Sequence, residues 1–298
     1  MFNVFTTIKV NDLSAINFKS FANVLKLNAG LTFFNCKRMW FNFYKYEGAG
    51  NDFILIDNRS NKFMAGVELV KKLCDRRFGI GADGLMTLET DKQHDFGMRY
   101  YNSDGKESSM CGNGGRCMVA FAGRLGLSGK ESHFSAIDGL HEAFLDSPAY
   151  VRLKMQDVTG IEKYGNDFIT NTGSPHFVRF MKDIQSLDVV KEGRNIRYSS
   201  DFAQDGINVN FVQPEGPGII SMRTYERGVE DETLACGTGS VASAIITAYS
   251  LQPDSNSFLI HAPGGELSVR FVKTGPARFS DVWLEGPATF VFEGKIEL

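Results

Sequence analysis

Apolar and polar residues alternate through Phe41-Asn42-Phe43-Tyr44-Lys45-Tyr46, and an apolar run, Phe53-Ile54-Leu55-Ile56, precedes Asp57. The first pattern predicts a half-buried strand and the second a buried one. Between them, Glu47-Gly48-Ala49-Gly50-Asn51-Asp52 reads as a turn whose glycines admit close backbone approach. Residues 64–77 place Val67, Val70, Leu73 and Cys74 on one face of an amphipathic helix, so Cys74 is expected in the core. Strands are expected at 85–89 and 97–102, with a turn at 103–105. Large apolar residues at 118, 121 and 125 predict a helix that Gly126 stops. Residues 134–155 alternate enough for one or two further strands. The pattern breaks at 160–166, the candidate domain boundary.

The same order of signals then returns. Thr172-Gly173-Ser174-Pro175-His176-Phe177-Val178 stands where Ala49 to Ile54 stood, and residues 206–212 answer 84–89. Met222-Arg223-Thr224-Tyr225-Glu226 answers Met98-Arg99-Tyr100-Tyr101-Asn102, and Cys236 answers Cys111. A helix with Val241, Ile245 and Ala248 on one side closes the second copy. The offsets, 122 to 125 residues throughout, describe one α/β unit duplicated rather than a solenoid, whose period is much shorter.

Each copy carries a cysteine in front of a glycine-rich helix start: Cys111-Gly112-Asn113-Gly114-Gly115-Arg116-Cys117 and Cys236-Gly237-Thr238-Gly239-Ser240. A helix start offers unpaired N–H groups and positive dipole charge, which suit a thiolate or a substrate carboxylate. A thiol with a pKa of ~8.5 is expected to fall toward ~7 there, at about 1.4 kcal/mol per unit. Duplication sets the two cysteines across a pseudo-twofold axis. Two proton carriers on opposite faces of one carbon are what stereochemical inversion needs, and only one is ionised at a time because close thiolates repel. Glu226 and Arg227, adjacent in the second copy only, suit an ammonium and a carboxylate. By contrast, Gly79-Ile80-Gly81-Ala82-Asp83-Gly84 matches G-x-G-x-x-G but follows a helical pattern and precedes a strand. That order is the reverse of a dinucleotide site.

Length and composition narrow the classes. The 298 residues, 43% hydrophobic, suggest about two domains of ~150 residues. A net charge of -3 gives no reason for a nucleic acid or anionic membrane partner. No apolar run approaches the ~20 residues of a membrane helix. Five cysteines, an odd number, favour free thiols in a reducing compartment. Their spacing and the scattered histidines argue against a metal site. Residues 1–38 carry Lys9, Lys19, Lys26, Lys37 and Arg38 against Asp12, a local charge of +4 that leaves -7 elsewhere. They lack a targeting signature and read as a disordered or upstream extension, with Met39 the true start.

These motifs, with Lys45-Tyr46-Glu47-Gly48-Ala49-Gly50-Asn51-Asp52-Phe53 and Tyr225-Glu226-Arg227-Gly228, resemble the diaminopimelate epimerase family from about Tyr44 onward. The resemblance implies an α/β fold of the α+β type with two pseudo-symmetric domains. Each is a curved mixed or antiparallel sheet around a central helix, with the active site in the interdomain cleft. The expected domains are 39–159 with the returning C-terminal strand 287–298, and 160–286. It also implies a cofactor-independent cytoplasmic enzyme, without pyridoxal phosphate or metal, of lysine and peptidoglycan-precursor synthesis. Homodimerisation is implied too. Cys111 and Cys236 are the implied acid/base pair. Asn51, Asn102, Gly112, Asn113, Asn208, Glu226, Arg227, Gly237 and Thr238 are the implied substrate contacts. Two positions depart: many members have glutamine where this chain has Gly84, and asparagine where it has Ser174. Ser174 can still form a hydrogen bond; Gly84 offers no side chain.

The nearest rival is a two-cysteine proline or hydroxyproline racemase, whose first motif usually carries histidine where Asn113 stands. A more distant one is a thiol redox protein using Cys111 and Cys117, six residues apart. Cys117 has the simpler role of a residue inside the helix. His176, the only histidine within a motif, reads as a supporting or structural group near Cys236.

Overall fold

The computed structural model describes residues 39–298; the expected extension lies outside the described residues. The first half runs β1 (Trp40–Gly48), β2 (Asn51–Asp57), α1 (Val67–Cys74), β3 (Gly84–Glu89), β4 (Phe96–Asn102), β5 (Glu107–Ser108) and α2 (Gly112–Arg124). Strands β6 (Glu131–Ala136), β7 (Gly139–Ser147) and β8 (Tyr150–Lys154) follow. The second half runs β9 (Ile161–Tyr164), β10 (Asp167–Asn171), β11 (Pro175–Phe180), α3 (Val189–Arg197), β12 (Asn208–Gly216), β13 (Ile219–Glu226), β14 (Asp231–Thr233) and α4 (Gly237–Ser250). It continues through β15 (Ser257–Ala262), β16 (Gly265–Gly275), β17 (Arg278–Pro287) and β18 (Thr289–Glu297).

Strand pairing repeats between the halves. β2 lies parallel to β3 across α1, and β11 parallel to β12 across α3. β3 and β4 are antiparallel, as are β12 and β13. β4 then runs parallel to β6 across α2, and β13 parallel to β15 across α4. Parallel neighbours need such crossovers, and here helices supply them. Leu85 pairs with Tyr101 and Val209 with Tyr225, so the structural offset at these strands is 124. The counterpart of Gly84 is therefore Asn208, two residues beyond the match expected from the sequence. The halves join edge to edge through β8 and β17, and β18 returns to pair with β1, as the resemblance implies.

Helices α2 and α4 are not one-faced, as their large apolar residues suggested. Residues 112–122 of α2 are buried on every side, as is nearly all of 237–248 in α4. Strands wrap each helix all round, and its small residues (Gly114, Ala120, Ala122; Gly239, Ala242, Ala244) let them approach. Helix α1 is shorter than expected. It stops at Cys74 because the Asp75 carboxylate accepts the N–H groups of Arg77 and Phe78 and turns the chain. Val70, Leu73 and Cys74 are buried, but Val67, in its first turn, is 48% exposed. Three strands rather than one or two fill the segment after α2. The expected pattern break at 160–166 contains β9 and the turn into β10.

The aromatic contacts of α2 make its packing testable. Phe121 is fully buried, with ring centroids 4.8 Å from Tyr44 and 6.0 Å from Tyr46 on β1. Phe121→Ala is expected to cost about 3–5 kcal/mol. Urea unfolding should show a lower midpoint with an unchanged slope.

Candidate active site

Cys111 caps the N-terminus of α2 and Cys236 that of α4, both in extended backbone conformation. The first turns close with Gly115 N–H on the Cys111 carbonyl at 2.7 Å and Ser240 N–H on the Cys236 carbonyl at 2.8 Å. The N–H groups of 112–114 and 237–239 are thus left without intrahelical acceptors. The two helix starts abut. A Cβ on Gly112 would lie 3.6 Å from Gly237 Cα, and one on Gly237 would lie 3.4 Å from Gly112 Cα. Either would also press on Leu284 Cδ2, at 3.1 and 2.8 Å. Glycine at both positions keeps the seam between the two thiol-bearing turns free of crowding against Leu284.

The thiols are not acidified in this cleft. Burial pushes Cys111 up, the Glu226 charge adds to it, and the Gly114 and Asn113 N–H groups oppose it. Burial pushes Cys236 up as well, with Glu226 again adding and the Thr238 hydroxyl and Gly239 N–H opposing. The lowering expected from the helix starts is therefore present but outweighed, because the wrapped sheets take the thiols out of water. Glu226 is itself pushed up by burial, against the hydrogen bond it accepts from the Thr233 hydroxyl at 2.9 Å.

Cys236 has a chain of support behind it. Asn210 Nδ2 donates to the Phe177 carbonyl at 3.0 Å and lies 3.1 Å from His176 Nδ1. An amide nitrogen only donates, so Nδ1 accepts and the imidazole proton sits on Nε2. Nε2 then donates to Thr238 Oγ1 at 2.9 Å. The Thr238 hydroxyl proton is left to point at Cys236 Sγ, 3.6 Å away. His176 is fully buried, and burial followed by the Arg227 charge lowers its pKa to about 3.

The other expected residues divide between those facing protein and those facing outward. Asn113 is fully buried; its amide donates to Asn51 Oδ1 at 2.6 Å and to the Ala235 carbonyl at 3.2 Å, and accepts from Arg116 at 3.0 Å. It ties the first motif to the residue before Cys236. Asn51 also donates to Asp83 at 3.1 Å. Asn208 donates to the Ser174 hydroxyl at 2.7 Å and the Pro175 carbonyl at 3.2 Å, and accepts the Arg227 N–H at 2.9 Å. Its amide thus holds Ser174 and Arg227 in place. The Arg227 guanidinium reaches the Asp205 carbonyl at 3.0 Å and stays exposed. The Asn102 side chain, exposed at the end of β4, makes no hydrogen bond among the described residues.

Two further arginines, not singled out from the sequence, shape the site. Arg116 is fully buried and binds the Gly112 carbonyl at 3.2 Å and the Pro287 carbonyl at 3.3 Å, fastening α2 to the end of β17. Its place three residues after Asn113, on the same helix face, was the available signal. Arg76 bridges Asp52 at 2.5 Å and Asp83 at 2.7 Å, and Lys45 meets Asp52 at 2.6 Å. Cys117 is buried inside α2, and burial drives its pKa up. Among the described residues no group of three or more His, Cys, Asp or Glu side chains is arranged to hold a metal ion.

The His176 chain has a pH signature. The unfolded histidine takes a proton below about 6.5, while native His176 stays neutral down to about 3. Native stability should therefore fall as pH drops through that window, by about 1.4 kcal/mol per unit from this group. Chemical unfolding at pH 7, 6 and 5 measures it, and His176→Gln should flatten the curve. Nitrogen NMR should find the Nε2–H tautomer unchanged from pH 8 to 5.

Comparison with known proteins places the chain. The family model for diaminopimelate epimerase matches residues 43–142 and 168–291. The diaminopimelate epimerase of Flavobacterium psychrophilum is 50% identical over 254 residues, covering 85% of this chain and 99% of that protein. That of Chlorobaculum tepidum is 44% identical over 260 residues, covering 85% and 100%. Among solved structures, a Bacillus anthracis phenazine biosynthesis protein of the PhzF family superposes with a TM-score of 0.67 at 12% identity, covering 87% of this chain and 99% of the other. A hydroxyproline epimerase from Agrobacterium vitis does so at 0.63 and 13%, covering 88% and 94%; at such identities only the fold is shared. Identity this high across nearly the whole length of the curated relatives, together with the family match, shows that the chain belongs to the diaminopimelate epimerase family.

Proposed function

We propose that this enzyme inverts one α-carbon of LL-2,6-diaminopimelate to give the meso form, with Cys111 and Cys236 as a two-base pair. One thiolate takes the α-proton and becomes a thiol; the opposite thiol gives its proton to the other face and becomes a thiolate. The pair ends with its protonation exchanged, and proton exchange with water resets it. The N–H groups of 112–114 and 237–239 hold the α-carboxylate and stabilise the charge that develops on it. The observation carrying this reading is the abutment of the two cysteine-bearing helix starts at Gly112 and Gly237.

The raised thiol pKa values fit a site completed by its substrate. An arriving ammonium beside Glu226 offsets the charge that disfavours thiolate, and the Thr238 hydroxyl favours thiolate at Cys236. Glu226 and Arg227 take the ammonium and carboxylate of the substrate. Asn51, Asn113 and Asn208 brace the walls, Asn102 offers a free amide, and Gly112, Gly237 and Thr238 contribute backbone donors. The chemistry requires neither cofactor nor metal.

We further assign residues 39–159 with 287–298 to one domain and 160–286 to the other. The two-part family match and the β1–β18 pairing support this division. A cytoplasmic homodimer in lysine and peptidoglycan-precursor synthesis is the setting the family suggests. No helix among the described residues is long and apolar enough to cross a membrane.

Cys111→Ala and Cys236→Ala should each lower turnover of LL-diaminopimelate by at least about a hundredfold, while Cys117→Ser leaves it near wild type. Turnover of L-proline and not of diaminopimelate would favour the racemase alternative. Loss on Cys117→Ser with Cys236→Ala unaffected would favour a redox protein.

A further inference from the structure

Gly84 opens β3 at the edge of the site, and a Cβ there would lie 2.5 Å from the Tyr100 ring and 3.0 Å from its hydroxyl. Tyr100 pairs with Met86 across the strands, and Met86 lies two residues from Gly84 on the same sheet face. The tyrosine ring therefore leans from position 86 over position 84. It is held there edge-on by Phe53, with ring centroids 6.2 Å apart. In the second half the corresponding residues are Asn208 and Thr224, where the strand itself supplies an amide side chain. In the first half that side chain is missing, and a phenol reaching across from the next strand fills its space.

The hydroxyl at the end of this ring has no hydrogen-bond partner among the described residues, although Tyr100 is only 8% exposed. The Phe53 ring that holds Tyr100 lies against the start of α2, 3.6 Å from where a Cβ on Gly114 would stand, and the charges of Cys111, Asp83 and Glu226 act on the hydroxyl. Burial also keeps it protonated. It is thus a neutral O–H donor with no acceptor among the described residues. On a doubly zwitterionic diamino dicarboxylate the acceptors are the carboxylate oxygens, since an ammonium has no lone pair to offer.

We propose that the Tyr100 hydroxyl donates a hydrogen bond to a carboxylate oxygen of the bound substrate, making Tyr100 a binding and specificity residue that stands in for the side chain absent at Gly84. The assignment rests on the diaminopimelate reading above.

Tyr100→Phe removes one oxygen and leaves the ring packing intact. It should raise KM for LL-diaminopimelate about tenfold or more, as loss of a hydrogen bond to a charged group does, with kcat changed much less. Calorimetric titration should show the same loss, at an unchanged melting temperature. Gly84→Asn should be damaging, because its Cβ would collide with the Tyr100 ring at 2.5 Å and with the Tyr101 carbonyl oxygen at 2.7 Å. An unchanged KM and binding constant in Tyr100→Phe would overturn the proposal. Failure of the wild-type enzyme to bind or turn over diaminopimelate would instead overturn the functional reading, and the Tyr100 assignment with it.

Discussion

Two helix N-termini meet backbone to backbone at Gly112 and Gly237, and most of the site's behaviour follows from that contact. A Cβ on either glycine would touch the other's Cα and crowd the Leu284 side chain, so glycine after each cysteine leaves this seam unstrained. The positive ends of two helix dipoles then face one region, an arrangement that repels unless an anion lies between them. In the proposed reaction a substrate carboxylate, or one thiolate, supplies that negative charge. The duplicated sheets hold the two ends in place by wrapping each helix on every side, and Arg116 and Asn113 fasten the first end to β17 and to the residue before Cys236.

The same wrapping sets the electrostatics. Enclosure raises both thiols and Glu226 while the helix starts and the Thr238 hydroxyl pull the thiols down. The Cys111 charge also adds to the rise at Cys236. Support behind the thiols is unequal: Cys236 has the Asn210–His176–Thr238 chain, whereas Asn113, at the matching place beside Cys111, is turned into the protein. The surroundings of the two thiols are thus chemically distinct.

Much of this was legible in the sequence because the chemistry is local. A cysteine before a glycine-rich helix start announces itself twice, and the repeated order of strands carries the fold. What stayed hidden depends on tertiary enclosure. The sign of the thiol shift could not be read from the helix starts, since the competing burial comes from strands far along the chain. Asn113 and Asn208 were legible as candidate substrate contacts, but only the structure shows their amides spent on protein partners. The match of residues 206–212 to 84–89 was off by two residues. Side chains alternate with period two, so such a slip keeps every residue on its proper face and leaves the pattern intact. Tyr100 escaped for a related reason: within β4 it is one apolar residue among several, and its role appears only when Gly84 is seen beneath it.

The claim that two thiols act on opposite faces of one carbon is tested most directly by brief reaction of LL-diaminopimelate in heavy water. The reaction is stopped within the first few per cent of conversion, and substrate and product are analysed separately. Deuterium should appear at the inverted α-carbon of the meso product, while recovered LL substrate remains protiated, because the base that removes the proton is not the acid that returns one. Label entering recovered substrate as fast as product, or a product with no α-deuterium, would contradict the two-base account.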